Sequence, residues 1–65
     1  MKRYIDQSQL IDAVERGLEK TGSFILLSQL SGIHPNTLRN WHELKQVPRI
    51  GRFLRFKQLV DQLSA

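Results

Sequence analysis

Asn36, Thr37, Arg39 and Asn40 crowd into one five-residue stretch and carry side chains suited to reading base edges. An Asn carboxamide pairs at two points with adenine, and an Arg guanidinium with O6 and N7 of guanine. Each such pair is worth about 1–3 kcal/mol of discrimination. The Thr37 hydroxyl suits a base or a phosphate. Ser23, His34, Lys45, Arg49 and Arg52 flank this stretch and are the candidates for phosphate contact. Lys and Arg neutralise phosphates directly. Catalytic chemistry has little to work with. The chain has no Cys nucleophile and no Gly-rich phosphate loop, while Asp12, Glu15 and Glu19 read as a solvated helix face. His34 and His42 stand eight apart without matching carboxylates, so neither a metal nor a cofactor is expected. A chain of 65 residues also struggles to enclose a water-excluding pocket, and we expect no enzyme.

Two short helices joined by a tight turn must position the base-reading side chains. Residues 27–41 have that form, a helix-turn-helix. Leu27, Leu30 and Ile33 supply apolar contacts on the first helix and the turn. Leu38 and Trp41, three apart, put an apolar stripe on the second. Gly32 falls where a left-handed residue is needed, and Pro35 suits the first helical position, where its missing N–H costs nothing. With the stripe inward, His34, Asn36, Thr37, Arg39 and Asn40 face out. His34 doubles as a candidate N-cap, and His42 falls toward the back. Trp41 is expected in the core, its indole N–H donating to a carbonyl.

The stretch resembles the helix-turn-helix of the lambda-repressor/Cro-like superfamily. That family places a small residue four before the turn Gly, an apolar one after it, and apolar ones six and nine after. Ser28, Gly32, Ile33, Leu38 and Trp41 occupy those places. Ser28 departs from the usual Ala, though its hydroxyl can bond back to its own helix. Trp41, five further residues, then Val47-Pro48 and a basic-apolar run are similar to small phage and prophage Cro-type regulators. The resemblance covers roughly residues 10 to 63. It implies a helical bundle, double-stranded DNA as partner, and a phosphate near the start of the helix after Ser23.

The rest of the chain supplies scaffold. Asp6 or Ser8 can cap a first helix, in which Leu10, Ile11, Val14 and Leu18 recur at helical spacing. Gly17 costs about 1 kcal/mol against Ala within a helix, which suggests another backbone close by. Thr21-Gly22 ends that helix and Ser23 caps the next. The stretch from Phe24 to Ser31 is apolar enough to be largely buried. After Pro48, Arg49, Arg52, Arg55 and Lys57 alternate with Ile50, Phe53, Leu54 and Phe56. The spacing of Ile50, Phe53, Leu54, Val60 and Leu63 fits a helix. A β-hairpin wing at 49–56, similar to excisionase and MerR-type winged helices, is the alternative. Phe53, Phe56, Leu59, Val60 and Leu63 exceed the needs of one small core, so part of that surface is expected to join a dimer.

Charge supports the same arrangement. The formal net charge is +4. Residues 1–34 carry four basic and four acidic side chains; residues 35–65 carry six basic and two acidic. The positive potential lies on and after the proposed reading helix. With no Cys there is no disulfide or zinc-thiolate framework, and no apolar run approaches the roughly 18 residues of a membrane span. We expect one all-α domain over residues 1–65, a bundle of four to five short helices around a central helix-turn-helix. Residues 1–5 are expected to be a frayed arm, or one that reaches DNA through Lys2 and Arg3. The expected function is a cytoplasmic, nucleoid-associated Cro-type repressor. It would act as a homodimer on a pseudo-palindromic operator, with helix 35–44 in the major groove. The alternatives are an excisionase-like DNA-bending protein and a protein-interaction module using the apolar C-terminal face.

Overall fold

Three of the four helices begin where a side chain satisfies an otherwise orphaned N–H group. In a computed structural model, which describes residues 6–64, four helices follow one another. They are α1 (Gln7–Thr21), α2 (Phe24–Ser31), α3 (Pro35–His42) and α4 (Ile50–Ser64). Asp6, not Ser8, caps α1: the Ser8 N–H donates to Asp6 Oδ1 at 2.9 Å, and Ser8 is already helical. Ser23 accepts from the Leu26 N–H at 3.1 Å to open α2. His34 Nδ1 accepts from the Asn36 N–H at 3.1 Å to open α3, with Pro35 in its first turn. Gly22 and Gly32 close α1 and α2 in the left-handed region, at φ 90° and 74°, where a Cβ would be strained.

The core draws on every helix. Leu10, Ala13 and Val14 of α1 meet Leu27, Ile33, Leu38, Trp41, Phe53, Phe56 and Val60. α1 packs against each of the other three helices, and α2 packs on α3. Trp41 meets Phe56 edge to face, with ring centres 5.7 Å apart at 78°, a favoured aromatic geometry. Outside the core, Arg16 bridges Asp12 on its own helix and Asp61 on α4 at 3.1 and 3.3 Å. His42 Nε2 lies 3.2 Å from Glu15, joining α3 to α1.

The all-helical reading holds among the described residues, and several expectations are corrected. Residues 50–56 are helical, so the β-hairpin wing is not formed. Phe53, Phe56 and Val60 fall on one side of a 3.6-residue repeat, and burying them against α1 favours the helix. α3 ends at His42 rather than 44. Leu44 follows at φ 60°, a left-handed conformation that costs an L-residue roughly 1–2 kcal/mol, and its side chain packs against the core.

α2 is far less buried than its composition suggests. Leu27 is buried, but Ile25, Leu26 and Leu30 are 63%, 48% and 55% exposed. Two turns of helix can turn only one stripe toward α1 and α3, and α4 packs mainly on α1, leaving that face uncovered. Of the apolar residues expected to exceed the core on α4, Phe53, Phe56 and Val60 are buried in it and Leu59 and Leu63 are half-buried, while Ile50 and Leu54 are exposed. Gly17 faces a side chain rather than a backbone. A Cβ there would lie 2.9 Å and 3.0 Å from the Leu27 methyls. No helix among the described residues is long and apolar enough to cross a membrane. Lys2, Arg3 and the remainder of the proposed arm lie outside the described residues.

Candidate nucleic-acid interface

α3 advances 100° per residue, and its buried Leu38 and Trp41 fix the inward direction. Asn36, Arg39 and Asn40 then share the opposite side. Asn36 and Arg39 are exposed and Asn40 is half-buried. Thr37 lies at the flank, also half-buried, while His42 lies on the other flank against Glu15. The helix thus brings three of the four expected base readers onto one face, with Thr37 at its edge. Arg39 is not loose in solvent: its guanidinium carbon sits 5.4 Å from the centre of the Phe24 ring. That ring in turn meets His42 edge-on at 6.4 Å.

The expected phosphate contacts divide into three kinds. Ser23 and His34 spend their acceptors on helix N-caps, which makes them structural before anything else. Ser23 still leaves the first N–H groups of α2 at the surface of a helix start. Lys45 is exposed but pairs with Glu43 at 3.1 Å, which offsets its charge. Arg49 and Arg52 are exposed and line a groove of about 770 Å³ at the start of α4. The connection that carries them is tied back to α3, because the Asn40 carbonyl accepts from the Lys45 N–H at 2.9 Å.

A comparison with family models, with curated proteins and with solved structures finds no match to this chain.

The groove adds a residue that sequence reasoning left out. Arg55 stands one turn beyond Arg52 on the same side of α4 and lines the same groove. Its signal was present in the three-residue spacing of Arg49, Arg52 and Arg55. Trp41 also lines this groove, and its indole Nε1 is buried with no acceptor among the described residues. The expected carbonyl partner is therefore missing. The ring is flanked by the Phe56 edge and by the Arg52 guanidinium, 5.8 Å from its centre, and neither offers an acceptor.

Proposed function

We propose that this chain is a sequence-specific DNA-binding protein, resembling Cro-type phage or prophage repressors, with α2 and α3 as its helix-turn-helix. α3 would enter the major groove. Asn36, Arg39 and Asn40 would meet base edges, with Thr37 on a base or an adjacent phosphate. Arg49 and Arg52 would hold the backbone, with Lys45 contributing once released from Glu43. One observation carries the reading: an amide–guanidinium–amide face on α3, set opposite a buried Leu38–Trp41 stripe on a short helix. Buried anchors fix where the face points, which direct readout requires. The helix at residues 50–56, in place of a hairpin wing, counts against the excisionase-like reading.

The working form in this proposal is a homodimer on an inverted repeat, its half-sites about 34 Å apart. Two apolar patches are open to such a contact, Ile25, Leu26 and Leu30 on α2 and Val47, Ile50 and Leu54 around the start of α4. Selection of bound duplexes from a random pool, at two salt concentrations, tests the proposal. An enriched inverted repeat supports a dimeric regulator. Weak enrichment with a steep salt slope replaces it with non-specific or architectural binding. Absence of binding at low salt removes the DNA reading and directs attention to the apolar patches as protein-interaction surfaces.

A further inference from the structure

The groove at the start of α4 gathers cations without a matching anion. Arg49, Arg52 and Arg55 line it, and no acidic side chain among the described residues does. The helix that opens into it differs from the other three. Asp6, Ser23 and His34 each cap a helix with a side-chain acceptor, whereas Arg49 occupies that position for α4. The Arg49 carbonyl accepts from the Phe53 N–H at 3.0 Å, as an N-cap carbonyl should, but its guanidinium carries only donors. The earlier N–H groups of the first turn therefore gain no acceptor from their own cap.

A second observation points to a ligand independently of that helix end. Trp41 is 1% exposed, lines the same groove, and keeps its indole N–H without an acceptor. A buried donor left unpaired costs about 1–3 kcal/mol, a penalty that an incoming acceptor can remove. Val47 and Pro48 form apolar wall beside these polar groups. A compact, multiply charged oxyanion attached to a less polar moiety satisfies all of these features. A phosphate ester has that chemistry, with several acceptor oxygens for forked Arg donors.

We infer that this groove is a phosphate-binding site, seated by Arg49, Arg52 and Arg55 and by the first-turn N–H groups of α4. Val47 and Pro48 pack the ester side. Drawing the Arg52 guanidinium onto the phosphate removes it from the indole face, a change in the surroundings of Trp41. The phosphate is either a backbone phosphate of DNA or that of a free phosphorylated molecule. The first source rests on the proposed function; the second does not. Arg55 and Trp41 thereby join a site to which Arg49 and Arg52 alone had been assigned.

Trp41 is the single Trp of the chain, so its fluorescence and its indole N–H resonance report on the groove without labelling. The full chain is titrated with inorganic phosphate against chloride at matched ionic strength, and separately with a short DNA duplex. Expected in both arms are shifts of the Trp41 indole N–H and of the Ile50 and Gly51 amides. Arg55→Gln is expected to weaken phosphate binding at least fivefold while leaving the Leu38 and Leu27 amides in place, which shows that the fold is intact. If the duplex binds and these resonances stay still, the site is wrong while the DNA reading survives. If phosphate moves them but no duplex binds, the site stands for a free phosphorylated ligand and the DNA reading falls. Unmoved resonances in both arms, or an Arg55→Gln chain that binds phosphate undiminished, overturn the inference.

Discussion

The Arg39 guanidinium carbon lies 5.4 Å from the centre of the Phe24 ring, so the strongest candidate base reader on α3 rests on a side chain of α2. Phe24 is half-buried and packs against the core, which makes it a fixed platform. An Arg side chain carries about 2 kcal/mol of rotamer entropy, and a platform that narrows its range lowers the cost of docking it on guanine. The two eight-residue helices are thereby coupled at the reading face as well as through Leu27 and Leu38.

Replacing Phe24 by Leu keeps an apolar side chain and removes the ring. An exposed cation–π contact is worth about 0.5–1 kcal/mol. In the proposed reading, Phe24→Leu should weaken binding to the selected site about two- to fivefold and leave non-specific binding unchanged. Competition titrations on the two duplex types measure this. Tighter specific binding would mean that Phe24 holds Arg39 back from DNA instead of presenting it.

Reading and clamping residues should separate in their salt dependence. Arg39→Ala or Asn40→Ala should cost about 1–3 kcal/mol at one base position and relax its preference. Arg49→Ala should weaken binding to every sequence and reduce the salt slope by about one unit. If all three variants weaken every sequence alike, the division of roles between α3 and the start of α4 is wrong.

Lys45 invites a sharper version of that experiment because it is paired with Glu43 at 3.1 Å on the surface. Such exposed pairs contribute little to stability, so Glu43→Gln should leave the melting temperature nearly unchanged. It removes one negative charge near the proposed phosphate track and frees Lys45. Non-specific DNA affinity should rise several-fold at low salt, with the gain lost in the Lys45→Ala background. A gain that persists without Lys45 would assign the effect to general charge.

The starts of α2 and α3 and the stops of α1 and α2 were legible in the sequence because they depend on local chemistry. Ser23, Gly32 and Pro35 fix their backbone within one turn, and the structure places them as cap, left-handed stop and first-turn residue. The apolar period of Leu10, Val14, Leu38 and Trp41 likewise identified buried positions. Neighbourhood was not legible. Composition marked α2 as buried, yet whether a third element covers Ile25 and Leu30 depends on where α4 packs. The pattern at 49–56 was compatible with two local structures, and the burial of Phe53, Phe56 and Val60 against α1 distinguishes them. On the candidate site, the outward set Asn36, Arg39 and Asn40 followed from periodicity alone. The Arg39–Phe24 contact, the Glu43 partner of Lys45 and the unpaired Trp41 donor are consequences of packing between elements.

Gly17 tests that packing directly. It is buried in the middle of α1, where Ala would be preferred by about 1 kcal/mol on helix propensity. A Cβ would stand 2.9 Å and 3.0 Å from the two Leu27 methyls and 3.4 Å from a Val60 methyl. Leu27 is fully buried, so its methyls have little room to retreat, and overpacking of this kind typically costs about 1–3 kcal/mol. Gly17→Ala in the natural chain should therefore be destabilising by about 1 kcal/mol. Leu27→Ala alone should cost about 2–5 kcal/mol through the cavity it leaves. In the Leu27→Ala background the sign for Gly17→Ala should reverse, because the obstruction is gone, the propensity gain remains, and the added methyl fills part of the cavity. Chemical denaturation of the four chains in this double-mutant cycle measures the coupling. Additive effects would show that Gly17 and Leu27 do not restrict one another.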